Sequence, residues 1–253
     1  MQPDKFRAQC EALYAKYNHR EFIGSDPLQF VWRYDQARDR EVVGLIASSL
    51  AFGGVSQIAK CVEAVLQRMP GPCAWIGRAS PSSLARTFRR FRYRFVDCDD
   101  LCDLLRGIRR VIDRYGSLRD CFASGLHDAD ATVLPAVNGF VAELRAGSTQ
   151  DTNYLLPRPS PASACKRLHL YLRWMIRRDE IDPGVWAPMP TGKLIVPVDT
   201  HMHRTALRWG LTTRRQADQR TAIEITEAFR RIAPHDPVRY DFALTRLSMR
   251  GNL

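Results

Sequence analysis

Apolar residues recur along this chain three or four positions apart in almost every periodic stretch, which is the spacing of amphipathic helices. The first two predicted helices, 39–52 and 56–69, are separated by Gly53-Gly54, a pair that interrupts the pattern. The other periodic stretches predict helices at 99–116, 132–147, 165–178, 200–209, 217–232 and 236–248. Strand-like alternation is nearly absent, so the pattern predicts an all-α protein.

Residues 147–164 interrupt this succession of helices. They are rich in Ser, Thr and Pro, as expected of a connection between two bodies. We therefore predict a single helical unit over 1–253 with two lobes, one of about 30–147 and one that combines 1–29 with 148–253. No repeat with a solenoid period is visible.

The charge balance changes the picture of possible partners. Lys and Arg number 38 against 27 Asp and Glu, a formal charge of +11, and arginine, which binds phosphate through a planar fork, supplies most of the excess. A polyanionic partner and a generic basic protein from an arginine-preferring proteome explain this equally well. No window approaches the roughly 18 apolar residues of a membrane span and no signal peptide is visible, so we expect a cytoplasmic protein without a membrane partner.

The seven cysteines are scattered and form no C-x-x-C pair, which favours reduced thiols over a disulfide framework. Cys98 and Cys102 share a predicted helix face, but two thiols are too few for zinc or an iron–sulfur cluster. We therefore predict no metal and no cofactor.

The segment "LIVPVDTHMHR", residues 194–204, places one carboxylate between an apolar run and a predicted helix. Asp199 is expected to be the N-cap of that helix, with its carboxylate accepting from backbone amides one turn on. His201 and His203 are two residues apart and diverge on a helix, so they are not expected to bind a metal together.

A second candidate, Lys166, follows the run of small residues and prolines in "PRPSPASACK" and opens the predicted helix 165–178. An ammonium near the positive start of a helix should reach its neutral form more easily, and a neutral lysine is a nucleophile. The alternative is that Lys166 is one more solvated cation beside Arg167.

Taken together, "ASACK" and "PVDTHMHR" in a basic all-α chain resemble the helix-hairpin-helix (HhH-GPD) DNA glycosylase superfamily. The upstream "YNHREFIGSDPLQFVWRYDQARDREVVGLIASSLAFGG" and the closing "DPVRYDFAL" resemble a bacterial family of unassigned function within it, so the likeness covers most of the chain. The long gap between the two motifs is similar to the archaeal 8-oxoguanine DNA glycosylase type. The chain departs from the pattern at Ala162 and Ala164, where the superfamily usually has glycines, and it lacks the C-terminal iron–sulfur motif.

The resemblance implies a two-lobed helical glycosylase fold with a helix-hairpin-helix motif. In this chain Lys166 would attack C1′ of a damaged nucleotide, and Asp199 would stabilise the oxocarbenium charge and assist proton transfer. The residues expected to contact DNA are Phe52, Gly53, Gly54 and Gln57 after the early helix, Ser160, Ala162, Ser163 and Ala164 in the hairpin, and Arg167, His201 and Arg204.

Several aromatic residues have two interpretations. Phe52 is either a wedge that enters the duplex or a core residue at a helix end. Trp32, Trp186 and Phe242 are candidates for stacking on the extruded base. The run "RTFRRFRYRF", 86–95, suits single-stranded nucleic acid, but core aromatics with arginines extending outward explain it at least as well.

We therefore expect a monomeric DNA repair glycosylase, associated with the nucleoid, that acts on double-stranded DNA containing a damaged base such as 8-oxoguanine. A lysine nucleophile would give a Schiff base and β-elimination, and hence AP lyase activity. The alternatives are a non-catalytic nucleic-acid-binding module of the same fold and a helical protein-interaction adaptor whose charge is incidental.

Overall fold

The computed structural model describes residues 3–148 and 153–249, and over these residues the chain is almost entirely helical. The α-helices in chain order are α1 (Pro3–Tyr17), α2 (Ala37–Ser49), α3 (Val55–Leu66), α4 (Pro72–Arg78), α5 (Pro81–Phe88), α6 (Cys98–Tyr115), α7 (Leu118–Ser124), α8 (Leu134–Arg145), α9 (Lys166–Ile176), α10 (Thr200–Arg208), α11 (Gln219–Arg230) and α12 (Asp241–Met249). Short 3-10 helices cover Arg20–Ser25, Pro27–Arg33 and Thr191–Lys193. The all-α prediction is confirmed.

The chain divides into two compact units. Unit 1 comprises Met1–Asp26, Ala131–Val133 and Ser160–Leu253, and unit 2 comprises Pro27–Asp130 and Leu134–Pro159. Of the connection predicted at 147–164, residues 149–152 lie outside the described residues.

In unit 2, α6 is the central helix and packs against α4, α5, α7 and α8. Its buried residues, among them Leu101, Leu105 and Ile108, recur at the spacing of one helix face. A Cβ at Gly107 would lie 2.2 Å from the carbonyl oxygen of Leu144, so only glycine allows α6 and α8 to approach this closely. The helix begins with a reciprocal capping box between Asp97 and Asp100.

The run at 86–95 is not one helix. α5 ends at Phe88, and Arg92–Tyr93 (β1) pairs antiparallel with Val96–Asp97 (β2) in a two-residue ladder. Arg94, with φ 56°, is in the turn between them. The alternation of arginine and aromatic residues from 90 to 95 was therefore a strand signal.

In unit 1, α1 packs against α12, and α12 also packs against α10. Nearly all of α9 is buried, with every residue from Leu168 to Ile176 in the interior. No helix within 3–148 or 153–249 has the length and apolar character needed to cross a bilayer.

Candidate active site

Asp199 divides its two carboxylate oxygens between two tasks. The extended run Leu194–Val198 is buried, and its last residue delivers Asp199 to the start of α10. There Oδ1 accepts hydrogen bonds from the amides of His201 and Met202, both at 2.9 Å, which confirms the predicted N-cap. Oδ2 takes no part in the cap and is left for another partner.

That partner is Lys166. Its Nζ lies 3.8 Å from Oδ2 of Asp199, although the two residues are thirty-three positions apart in the sequence. The two side chains are 29% and 32% exposed, so a reactant in solvent has access to both. An ion pair this exposed stabilises the fold by only about 0–1 kcal/mol, which leaves the lysine free to exchange its partner.

Lys166 is the first residue of α9, and the chain enters it through a tight turn. The amide of Ser163 donates to the carbonyl of Ser160 at 3.0 Å, which closes a four-residue turn. Cys165 follows in the left-handed region, with φ 46°, and its amide donates to the Ser163 hydroxyl at 3.2 Å. The left-handed residue is therefore Cys165, not Ala162 or Ala164, so the alanines in place of glycine carry no φ penalty.

The turn leaves few backbone donors for a ligand. Among the residues the structure describes, the amides of Ala162 and Ala164 make no hydrogen bond, whereas those of Ser163 and Cys165 are engaged. Ala162 is exposed and Ala164 is buried. No helix occurs between 153 and 165, so within the described residues the turn is followed by a helix but not directly preceded by one.

A second carboxyl group, that of Asp241, belongs to this site. Asp241, at the start of α12, is 5% exposed and forms a close ion pair with Arg173 of α9. Burial raises the pKa of Asp241 to about 6 although the Arg173 guanidinium opposes the shift. The charges of Asp199 and Lys166 also act on it, the first raising its pKa and the second lowering it. Its protonation is thus coupled to the pair.

The position of α9 is fixed by a buried network at its far end. Arg177 bonds Asp236 at 2.8 Å and Asp182 at 2.9 Å. Arg173 bonds Asp182 at 3.1 Å in addition to Asp241. Burial disfavours charge on both arginines, but the surrounding carboxylates outweigh it and raise the pKa of each guanidinium. The helix that carries Lys166 is therefore held by ionic contacts at Arg173 and at Arg177, its C-cap.

Sequence reasoning missed Asp241, Arg173 and His169. His169 lies on α9 one turn after Lys166 and is 1% exposed, and burial lowers its pKa to about 4, so it is neutral. Its Nδ1 has no hydrogen-bond partner among the described residues. The sequence signal for Arg173 and His169 is a polar side chain within the apolar pattern of 165–178. That signal does not identify Asp241, because Asp241 is distant in the sequence.

The other residues of unit 1 predicted to bind DNA occupy different environments. His201 and Arg204 are exposed on α10, and Arg167 is half-buried next to Lys166. His203 is buried and its Nε2 donates to the carbonyl of Arg214 at 2.8 Å. No group of three or more potential metal ligands occurs within the described ranges.

The predicted contacts of unit 2 lie in the turn between α2 and α3. Gly53 has φ 101° and Gly54 is the N-cap of α3, with Gln57 exposed in the first turn. Phe52 is half-buried and packs 5.5 Å from Phe95.

Phe52 belongs to a cluster that reaches solvent. Tyr154 lies 4.9 Å from Phe52 and 4.3 Å from Phe95, measured between ring centroids. Phe95 is 56% exposed and Tyr154 is 44% exposed. The two interpretations of Phe52 are therefore compatible, because it anchors a cluster whose outer rings are open.

The aromatic residues predicted to stack on a base differ in accessibility. Trp186 is fully buried, 5.3 Å from the ring of Tyr171, and Phe242 is 2% exposed beneath Arg246. Neither presents a ring face to a ligand, which corrects the expectation for both. Trp32 is half-buried in unit 2 with the Arg40 guanidinium 5.2 Å from its ring, and stays a prediction.

A family model described as "Protein of unknown function (DUF2400)" matches residues 26–250. This is most of the chain, so the chain belongs to that family. No curated protein and no solved structure matches it.

Proposed function

We propose that this member of the DUF2400 family is a DNA glycosylase with AP lyase activity, in which Lys166 is the nucleophile and Asp199 assists it. The observation that carries the proposal is the 3.8 Å separation between Nζ of Lys166 and Oδ2 of Asp199. A nucleophilic amine beside a positioned carboxylate, with both accessible, suits attack on an electrophilic sugar carbon. The resemblance to the helix-hairpin-helix glycosylases supplies the substrate class.

In the proposed reaction, Lys166 gives up a proton to Asp199 and its amine attacks C1′ of the damaged nucleotide. The bond between C1′ and the base nitrogen breaks, and the departing base takes up the proton. Asp199 supplies that proton to the base and, ionised again, stabilises the positive charge on the sugar as the bond lengthens. The N,O-acetal at C1′ then opens as the attached amine passes a proton to O4′, which gives a Schiff base, and loss of a proton from C2′ expels the 3′ phosphate by β-elimination.

Groups around the pair are suited to hold the strand. The amide of the exposed Ala162 would donate a hydrogen bond to a phosphate, and the half-buried Arg167 and the exposed Arg204 would bind phosphates as forks. The nucleotide must leave the duplex to reach C1′, as in other enzymes that act on a base.

Borohydride trapping tests the proposal. Wild-type protein is incubated with a panel of duplexes that each carry one lesion, beginning with 8-oxoguanine, and sodium borohydride reduces any Schiff base to a stable adduct. We expect an adduct with the wild type and none with Lys166→Gln. Lys5→Gln, which removes an exposed lysine of α1, is the matched control and should still trap.

Two results would overturn the assignment. An adduct that survives Lys166→Gln would place the nucleophile elsewhere. Duplex binding with no adduct and no strand cleavage on any lesion would instead favour the non-catalytic nucleic-acid-binding module. The small number of open amides in the 160–164 turn favours that second function.

A further inference from the structure

Unit 2 contains a cavity of about 450 Å³ between α3 and the segment that runs from the end of α5 into β1. Its lining includes five exposed cations: Lys60, Arg68, Arg90, Arg92 and Arg94. No Asp or Glu of the described residues lines it. This concentration of one sign of charge around a concave surface raises the local concentration of anions.

A second cavity of unit 2 provides a comparison, because its arginines are bonded to other groups of the protein. It has a volume of about 630 Å³ and is also lined by arginines, but each of them bonds a protein group. The bonds join Arg106 to Asp103, Arg109 to Asp113 and to the Ala79 carbonyl, Arg110 to the Leu144 carbonyl, and Arg114 to Glu143.

The cations of the first cavity have no such role. Within the described part of the chain none of the five forms an ion pair, and Arg68, two residues beyond the end of α3, bonds only the Ala64 carbonyl of that helix. The five like charges line one cavity and repel one another. A bound anion would offset that repulsion.

The remaining walls of the cavity suit a flat, partly polar group. The ring of Phe91 is half-buried and that of Tyr93 is largely buried. Gln57 adds an amide with both donor and acceptor atoms. Burial raises the pKa of the Cys61 thiol to about 12, so this group adds no negative charge at neutral pH.

We propose that this cavity binds a nucleotide, with its phosphate among the arginines and its base against Phe91. The volume falls within the range of about 300–1,000 Å³ that is typical of small-molecule sites. Arginine is suited to phosphate through paired N–H donors, and aromatic faces accept any base. The nucleotide is either free or an unpaired residue of a single strand, since both present the same chemistry.

The proposal goes beyond the glycosylase function and does not depend on it. Every residue it uses belongs to unit 2, whereas Lys166 and Asp199 belong to unit 1. Its test measures binding only, so absence of base excision leaves the result unaffected.

Fluorescence anisotropy of a labelled ten-residue oligothymidylate provides the test. We expect the double variant Arg90→Gln/Arg92→Gln to weaken binding about tenfold or more, since each bond to a charged group contributes more than a neutral one. The slope of log affinity against log salt should become shallower by about 1.4, because two single-strand phosphate contacts are lost. Arg114→Gln/Arg119→Gln removes the same charge from exposed surface ion pairs of unit 2 and is the matched control.

Competition separates the two sources of nucleotide. Displacement of the oligonucleotide by thymidine 5′-monophosphate would support a free nucleotide, and binding of the oligonucleotide without such displacement would support a strand. Thymidine, which has no phosphate, should not compete. A photo-cross-link from 4-thiothymidine within the oligonucleotide should map to 57–68 or 87–94.

Four results would overturn the proposal: no binding of either probe, equal losses in the two double variants, competition by thymidine as strong as by its monophosphate, or cross-links confined to unit 1. Thermal unfolding of each variant shows whether it is folded. Arg90, Arg92 and Arg114 are exposed and Arg119 is half-buried, so we expect every variant to be folded, with a midpoint close to that of the wild type.

Discussion

Arg173 and Arg177 of unit 1 are buried among carboxylates, whereas Arg90 and Arg92 of unit 2 reach solvent beside a cavity and have no ion pair in the described residues. The first two were desolvated during folding, and their charges are already neutralised by aspartates. The second two keep their full charge for an external anion. The net charge of +11 counts both kinds of arginine equally. For unit 1 it therefore overstates the charge that is available to a partner, because Arg173 and Arg177 are already paired. For unit 2 it does not reveal that the available arginines are concentrated around one cavity.

The largest expected difference is in the free energy of unfolding, between a variant that lacks a buried arginine of unit 1 and one that lacks an exposed arginine of unit 2. Arg177→Met leaves Asp179, Asp182 and Asp236 without their shared cation, and uncompensated buried charge of this sort costs about 3–5 kcal/mol. Arg92→Gln should change the free energy of unfolding by less than about 0.5 kcal/mol, as exposed substitutions do. Urea unfolding measures both. Equal effects would contradict the division into structural and available arginines.

The buried network should also give stability an unusual pH dependence. Asp241 has its pKa raised from 3.8 to about 6, because burial outweighs the pull of Arg173. The folded state therefore holds its proton more tightly than the unfolded state, and the stability from this group, complete below pH 3.8, is lost as pH rises through about 6. Between pH 4.5 and pH 7 we expect a loss of about 2 kcal/mol from this group.

Asp241→Asn is the control for that prediction, because it cannot titrate. The difference in unfolding free energy between wild type and Asp241→Asn, followed by urea titration across this range, should change with the sign given above. A difference that stays constant with pH would show that Arg173 keeps Asp241 ionised in the folded state.

Asp199 combines a structural role and an available charge. Its Oδ1 caps α10, whereas its Oδ2 takes no part in the cap. Asp199→Ala should cost about 1 kcal/mol by removing the cap of α10, whereas asparagine also caps well and should cost only a few tenths. Both variants should lose trapping of the lesion duplex. Thermal unfolding and borohydride trapping on the same preparations separate the two roles, and full trapping by Asp199→Asn would remove Asp199 from the reaction.

The smallest expected effect is on the stability of the ligand-free protein when Arg90 and Arg92, which line the proposed nucleotide site, are replaced. Arg90→Gln/Arg92→Gln relieves repulsion between like charges, so stability should rise by a few tenths of a kcal/mol at low salt. The gain should disappear at high ionic strength, where the charges are screened. Thermal unfolding at two salt concentrations is the measurement, and a loss of stability instead would reveal a structural contact.

The sequence predicted best those helices whose first turn is marked by a capping residue. α6 has an acidic capping box at its start, and α10 has Asp199, and both were found within one or two residues. The N-cap of α10 was predictable because it depends only on residues one turn away. α4, α5 and α7 were missed because they are short.

Long-range pairings explain what the sequence could not provide. The partner of Arg173 is 68 residues away at Asp241, and the ring of Tyr154 meets Phe52 from a distant segment. The cavity of unit 2 that Arg90 and Arg92 line depends on β1, a strand that the sequence did not predict. No residue of these sets is exceptional by itself, and only tertiary packing brings them together.

In the sequence, unit 2 lies between segments of unit 1, and this order affects how each unit folds during synthesis. Unit 2 lies within a continuous stretch apart from 131–133, whereas unit 1 needs both ends, as the hydrogen bond of 2.7 Å from Tyr240 to Glu11 illustrates. On the ribosome, unit 2 can therefore complete its core while α1 waits for more than two hundred residues to find α12. During that interval the residues of α1 that are buried in the finished fold, Phe6, Cys10 and Tyr17, are not covered by α12, so unit 1 can complete its core only after the last helix has been synthesised.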